Sequence, residues 1–468
     1  MEIFDRELGG GILLTKKAIE NGWQVVFGGK GGIFPNLSRF KDMPGVFLLK
    51  SIVPGETFIQ KKILKDGHKI TSLDVEGLVP SEGEAGVKLR YSKESIELSD
   101  ILFFWGEKHY KSVHSIYPTI KNKSIISGSP IIDDILLKRK KRINRQQNKL
   151  NKILIATSCG YSNHISGKNY SYRMTMGAMA NNLDQSEITK LQNEVLLDQI
   201  VLCFWKEFIT DLAKKMPNTV IVVRPHPSED KLFWDKYFEQ YSNIIVNKTG
   251  SINDQMIDSD AFIHFNSTTA ITSRIFDIPT FMIMPDIENN LHSRITYVKD
   301  FSIIINSVEQ FINIYKGKPK KINTLYLKND LSEFCINCNK VNYNSSRLII
   351  QAFENNFKFT NYKGKIKIIE LKEYLRYKKN RTRYFLFWTL GIILELIIKF
   401  NFRLLPQNIV IRIKNYHSHL PPKNSYKYSK AKQPKLKTST IINLLNNYKA
   451  LDISINKISN NLFLIKGR

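Results

Sequence analysis

The four consecutive β-branched residues Val220-Ile-Val-Val223 constrain this chain more than any other stretch. They do not alternate with polar residues, so they cannot form a strand with one wet face. They read instead as a strand covered on both sides by helices, as in a parallel α/β sheet. The run stops at Arg224-Pro-His-Pro227, where two prolines cannot continue a sheet and hold His226 in a fixed extended turn. Phe262-Ile-His-Phe265 repeats the pattern and ends in Asn266-Ser-Thr-Thr269, whose side chains and backbone N–H groups would open a helix running toward Phe276. A helix start of this kind suits an anion, and Arg224 adds a guanidinium that can fork onto phosphate oxygens. The carboxyl edge of such a sheet is where open α/β folds take nucleotides. Each segment alone reads equally well as a capped turn, and it is their order and spacing together that point to a site.

At 468 residues the chain exceeds the size at which a single core stops growing, and 42% hydrophobic content supports more than one. The net charge of +28 first suggests a polyanion binder. Its distribution says otherwise: residues 361–468 hold 23 of the 70 basic residues but only 4 of the 42 acidic ones. The excess is largely a property of this C-terminal stretch. Lysine-rich and poor in stacking aromatics outside one apolar run, it implies salt-sensitive contact with polyanions and no specific nucleic-acid partner. Four cysteines are too few for a disulfide scaffold and imply a reducing compartment. Cys335-Ile-Asn-Cys338 has zinc-like spacing but lacks a second pair nearby, so no metal is expected. The opening residues show no basic region followed by an apolar stretch, and the expected location is cytoplasmic.

Along the chain, residues 1–137 alternate helix-like and strand-like stretches. Leu8 to Asn21 and Phe58 to Asp66 read as helices; Trp23 to Phe27, Lys69 to Leu73, Ile101 to Trp105 and Ser124 to Ile126 read as strands. Residues 138–150, rich in Lys, Arg and amides, read as a solvated helix or linker. A second alternating block covers 151–320, with strands near Ile153, Val220, Ile244, Phe262 and Phe281. Residues 321–380 hold closing helices, with helical periodicity from Tyr343 to Phe357. The expected fold is therefore α/β: two Rossmann-like domains facing across a cleft, followed by a basic, partly helical extension over 381–468. In that extension the apolar run 384–398 is too short to span a bilayer and carries Glu395. It reads as an interfacial helix on an anionic leaflet, each nearby cation adding roughly 1 kcal/mol, or equally as a buried helix of a small subdomain.

The strand Lys69 to Leu73 runs into Asp74-Val-Glu-Gly77, which sets two carboxylates at a strand end. Such a pair is commonly only a turn. Opposite His226, either carboxylate could take the proton of an acceptor hydroxyl.

Together with Glu2-Ile-Phe-Asp-Arg-Glu-Leu8, Leu49-Lys-Ser51, Leu73 to Leu78, Phe104-Trp-Gly106 and Gly128-Ser-Pro130, the Arg224-to-Pro227 and Asn266-to-Thr269 motifs resemble the bacterial surface carbohydrate biosynthesis family. That family looks like a set of two-domain GT-B-type glycosyltransferases, related in outline to capsule Kdo transferases, bacterial sialyltransferases and polyglycerolphosphate transferases. The resemblance, which spans residues 2 to about 290, implies that Arg224, His226, Asn266, Ser267, Thr268 and Thr269 bind the phosphates of a CMP- or UDP-linked sugar, with His226 assisting departure of the nucleotide. It implies Asp74 or Glu76 as general base and Glu2, Arg6, Glu7 and Asn163 as acceptor-side groups. It also implies a growing surface polysaccharide or lipid-linked glycan as acceptor. No metal or cofactor is expected, because cations and a helix start would supply the charge and no Asp-x-Asp motif lies on a strand end, and the adjoining apolar and basic stretches of 381–440 predict peripheral attachment to the inner face of the cell membrane. Two features depart from the family pattern: no hydrophobic strand precedes the Glu2-Ile segment, and Thr272 stands where relatives carry a ribose-binding glutamate. A CDP-polyol phosphotransferase, a nucleotide-sugar epimerase and an inactive membrane-bound scaffold remain the competing readings.

Overall fold

The structure is a computed structural model that describes residues 4–41, 43–77, 84–145, 151–165, 185–287, 297–317, 331–336, 344–357, 436–446, 453–459 and 462–467. Two parallel sheets organise it. The first contains β2 (Val46–Leu49), β3 (Lys69–Leu73), β4 (Ile101–Phe104) and β5 (Ser124–Ile126) in the order β2-β3-β4-β5. The second contains β6 (Lys152–Ala156), β7 (Val220–Arg224), β8 (Ile244–Val246), β9 (Ala261–His264), β10 (Thr280–Ile283) and β11 (Ile303–Ile305), ordered β11-β10-β9-β6-β7-β8. Strands β4, β9 and β10 are buried at every position, as expected of strands with helices on both faces. In the second sheet the chain proceeds from β6 to β7 and β8 on one side, then returns to lay β9 on the other side of β6. The strand order thus reverses at β6, and in open α/β sheets the crevice at such a switch point is where ligands bind.

The helix Phe4–Glu20 opens the described chain. Its Gly9 and Gly10 lie against the start of the helix Pro130–Arg145. A Cβ on Gly10 would come within 2.6 Å of the Ile131 backbone nitrogen, and one on Gly9 would strike the Asp134 carboxylate. The weak helix formers in mid-helix are explained by this close crossing. The Pro130–Arg145 helix joins the two sheets. It runs through most of the stretch expected as a linker, because Lys138 has ion-pair partners at Asp134 (3.2 Å) and Asp254 (3.0 Å) of the second unit. Its Asp133 accepts the N–H of Ser346 (3.3 Å) and the Ser345 hydroxyl at the start of the helix Ser345–Asn356. That helix returns to the first unit, where Phe353 packs edge-on against Trp23 and Phe103.

Two expectations are corrected here. The strand expected at Trp23 to Phe27 forms as β1 (Val25–Gly28), but it does not join the parallel sheet. It pairs antiparallel with β13 (Leu462–Gly467), which pairs in turn with β12 (Ile453–Ser459). Residues 453–467 are therefore a structural hairpin rather than part of a tail. Phe463 and Ile465 are fully buried with Ile12 of the opening helix and with Ile441 and Leu445 of the helix Thr438–Asn446. Hydrophobic burial outweighs the lysine-rich composition at this point. The apolar run 384–398, most of residues 420–440 and Cys338 lie outside the described residues. Among the described residues no helix is long and apolar enough to cross a membrane, and no cluster of His, Cys, Asp and Glu could hold a metal ion.

Candidate active site

The carboxyl edge of the first sheet is a chain of alternating charges. Arg90, at the end of the helix Glu84–Arg90, donates from Nε to Asp74 Oδ2 (2.8 Å) and from Nη2 to Asp74 Oδ1, while its Nη1 reaches Glu76 Oε2 (2.9 Å). Asp74 also accepts the Glu76 N–H (2.9 Å), and its carbonyl accepts the Trp105 indole N–H (2.8 Å). From the opening helix, Arg6 donates to Glu76 Oε1 (3.2 Å) and Glu7 Oε1 (3.2 Å). The order is Glu7, Arg6, Glu76, Arg90, Asp74. Burial alone would raise the Glu76 carboxyl, but Arg6 and Arg90, with Lys50 beyond them, hold it below the usual carboxylate range. For Arg90, burial opposes the charge and the two carboxylates outweigh it, so the guanidinium is held more firmly protonated than in water.

This geometry separates two residues that sequence could not separate. Asp74, at 1% exposure, lies under Arg90 with both oxygens engaged, which leaves no place for an acceptor hydroxyl. Of the two carboxylates expected as base, Asp74 is here the one bound to Arg90 through both oxygens. The Glu76 side chain, at 37% exposure, is the carboxylate of the pair that solvent or a substrate can reach.

At the second sheet, Ala156, Arg224 and His264 lie level with one another across β6, β7 and β9. The segments that follow all leave from one edge, with the β6 loop between those bearing His226 and Ser267. Two strand spacings, roughly 10 Å, separate β7 from β9. The exposed His226 ring accepts the Ser228 N–H at Nδ1 (3.2 Å) and lies 2.6 Å from Ser228 Oγ, which assigns the neutral ring's proton to Nε2. Asn266 takes a left-handed conformation (φ 45°), one that asparagine tolerates better than most residues. Ser267 donates to Thr269 Oγ1 (3.0 Å) and accepts the Thr269 N–H (3.3 Å), while Thr268, exposed, caps the helix Thr269–Ile275 without a side-chain bond. Thr272 stands half-buried on that helix.

Arg224 was expected to fork onto phosphate. Its Nη1 and Nη2 instead donate to the carbonyls of Thr249 (2.9 Å) and Gly250 (2.6 Å), so the guanidinium tethers the turn after β8. Burial lowers its pKa, and Asp5 and Asp254 oppose that. Asn163, expected on the acceptor side, bonds the Asp230 carbonyl through Nδ2 (3.0 Å) and accepts the Asp230 N–H at its own carbonyl (2.7 Å). It ties the β6 loop to the β7 turn. Glu2 lies outside the described residues.

The first turn of the opening helix bonds to the first edge. Arg6 and Glu7 belong to the charge chain of the first sheet. Asp5 is close enough to the second that, after burial has raised its carboxyl, the Arg224 charge lowers it and Asp254 raises it further.

Four residues that sequence reasoning missed complete the arrangement. Arg90 organises the acids. Fully buried Glu229 collects N–H and O–H donors beneath the His226 turn. His264, pushed down to about 3 by burial, accepts the Ser267 N–H (3.2 Å) at Nδ1 and pairs with Ser302 Oγ (2.8 Å) at Nε2. Lys248 donates to the Glu229 carbonyl, and its pKa is lowered by burial. A Glu three residues after a turn histidine and a His inside a strand were visible signals, whereas Arg90 and Lys248 gave none.

No family model and no curated protein matches the sequence. Among solved structures, UDP-GlcNAc 2-epimerase from Neisseria meningitidis bound to UDP-GlcNAc aligns over 70% of this chain and 80% of its own, with 14% identity and a TM-score of 0.41. A putative UDP-N-acetylglucosamine 2-epimerase from Listeria monocytogenes aligns over 72% and 79%, with 10% identity and a TM-score of 0.41. The wall teichoic acid polymerase TagF aligns over 56% of this chain, which spans 59% of the TagF chain, with 12% identity and a TM-score of 0.35.

Proposed function

We propose that this protein is a glycosyltransferase that moves a sugar from a nucleotide-activated donor, CMP- or UDP-linked, to a growing surface glycan or lipid-linked acceptor. The observation that carries the reading is that each parallel sheet presents reactive groups at its carboxyl edge. On the first edge is a partly exposed carboxylate, Glu76; on the second are an exposed imidazole, His226, and a hydroxyl cluster, Ser267 to Thr269. An acceptor hydroxyl needs a base on one side, and a departing nucleotide phosphate needs hydrogen-bond donors on the other.

In this scheme Glu76 takes the acceptor proton, aimed by Arg6 and Arg90 while Asp74 fixes Arg90. His226 donates from Nε2 to a donor phosphate, and the hydroxyls of Ser267, Thr268 and Thr269 and the nearby backbone N–H groups bind its oxygens. Protein donors would meet the charge on the leaving group, so transfer should survive EDTA. A depressed pKa makes Glu76 a weaker base but keeps it ionised, which places the requirement on position rather than basicity.

The test is incubation with CMP-, UDP- and CDP-linked donors, with donor consumption and product formation followed separately. Transfer should fall at least about a hundredfold in both His226→Ala and Glu76→Gln, with melting temperature unchanged in the histidine variant. Full activity in both variants would overturn the reading. Transfer of a polyol phosphate from a CDP donor would replace it with the phosphotransferase alternative. Attachment to an anionic membrane through 381–440 belongs to the same proposal, and cosedimentation with anionic vesicles before and after removal of residues 381–435, which spares Leu436 and the helix Thr438–Asn446, tests it.

A further inference from the structure

The carboxylate of Glu229 is fully buried and receives four donors from three different parts of the second unit. Its Oε1 accepts the N–H of His226 (2.8 Å), the N–H of Cys159 (3.2 Å) and the Thr157 hydroxyl (2.8 Å). Its Oε2 accepts the Trp234 indole N–H (2.8 Å) and lies 3.0 Å from the same hydroxyl. The backbone of Glu229 closes the turn by donating its N–H to the His226 carbonyl (2.9 Å), and it pairs in an antiparallel bridge with His164. The neighbouring Ser228 engages His226 Nδ1, and its hydroxyl is approached so closely by Gly160 that a Cβ there would lie 2.7 Å away. The loop after β6, the turn after β7 and the helix Lys231–Phe238 are thus gathered at one acid.

A hydrophobic residue could have filled this place at less desolvation penalty. A buried carboxylate saturated by donors specifies where each donor sits. Every partner donates, so an amide in its place would turn its own N–H₂ toward another donor, whichever way it faced.

We propose that Glu229 and Ser228 are positioning residues for His226: Glu229 fixes the backbone of the turn against the β6 loop, and Ser228 holds Nδ1 as an acceptor so that the ring presents a proton at Nε2. The functional half of this rests on the transferase reading above; the positional half does not. A general acid or phosphate donor must keep its proton on the nitrogen that faces the substrate, and misplacement of about 1 Å can cost on the order of a hundredfold in rate. The two residues supply both conditions without touching substrate.

The test uses the full chain with ¹⁵N-labelled histidine, the His226 signals being assigned by their loss in His226→Ala. The wild type should show the Nε2–H tautomer. Glu229→Gln should move the His226 nitrogens toward a tautomer mixture and lower kcat for the active donor about tenfold or more, with KM changed less than about threefold. Combined with His226→Ala it should add nothing further. If Glu229→Gln does not fold, Thr157→Val removes one donor from the same carboxylate, and Ser228→Ala one contact from Nδ1; both must shift the His226 nitrogens. Unchanged nitrogen signals in the folded variants, or full additivity with His226→Ala, would overturn the proposal. Shifted signals with transfer unaffected in His226→Ala would instead sink the transferase reading and leave the positioning role standing.

Discussion

The carboxyl edges of the two parallel sheets are built on different physics. The edge of the first sheet is ionic: two guanidiniums and three carboxylates alternate, with one acid exposed enough to act. The edge of the second is held by hydrogen bonds to buried groups, an imidazole kept neutral under Ser267 and a carboxylate saturated under His226. The difference matches the two tasks proposed. A base must keep its charge and its direction, which flanking cations provide. A phosphate pocket needs donors left pointing outward, which is achieved by satisfying the loops from beneath.

The largest effect is expected where the ionic edge loses its centre. Arg90→Ala leaves Asp74 buried without its cation and should destabilise by about 3–5 kcal/mol in denaturant unfolding. Asp74→Leu with Arg90→Met should recover most of that loss. If Arg90→Ala costs no more than a surface pair, under about 1 kcal/mol, the ionic edge is not structural and the contrast fails.

Next comes the crossing of the opening helix with the helix Pro130–Arg145. Gly10→Ala would push a methyl group into the Ile131 backbone and should cost about 1–3 kcal/mol. It should also impair transfer more than an equally destabilising core substitution elsewhere, because it moves Arg6 and Glu7.

The hydrogen-bonded edge makes a prediction in pH. His264 here, and in the first unit the buried His109 beside Phe104 and Tyr91, are both held to about 3 from 6.5, principally by burial. Between those values the unfolded chain binds more protons than the folded one, so stability falls as pH drops below about 6.5, by roughly 1.4 kcal/mol per unit for each histidine. Melts at pH 7 and pH 5 should show the loss, and His264→Asn should about halve it. A melting temperature that rises on acidification would contradict both burials.

The smallest effect belongs to Thr268, exposed and making no cap bond. Thr268→Ala should leave stability within about 0.5 kcal/mol while weakening donor binding a few-fold in calorimetry.

Much of this was legible in the sequence. The run Val220 to Val223 announces a strand with two covered faces, and its abrupt polar end locates the site, because burial and breaker residues act locally. What the charged residues meet was not legible. Arg224 looked like a phosphate ligand, yet the carbonyls of Thr249 and Gly250 arrive from another connection. Asp74 and Glu76 look alike in a row of letters and were separated only by Arg90, which comes from a helix after them. The lysine-rich composition near the C-terminus pointed to a tail, since average charge conceals a short alternating hairpin such as 453–467.

That hairpin bears on how the protein is made. β1 has its partner at Leu462 to Ile465, so Val25 to Gly28 leave the ribosome more than four hundred residues before the strand that completes their sheet. Until then the apolar side of the opening helix stays uncovered, on the very element that carries Arg6 and Glu7. Contacts this distant in sequence form late and slowly. The helix that carries Arg6 and Glu7 is therefore secured among the last events of maturation.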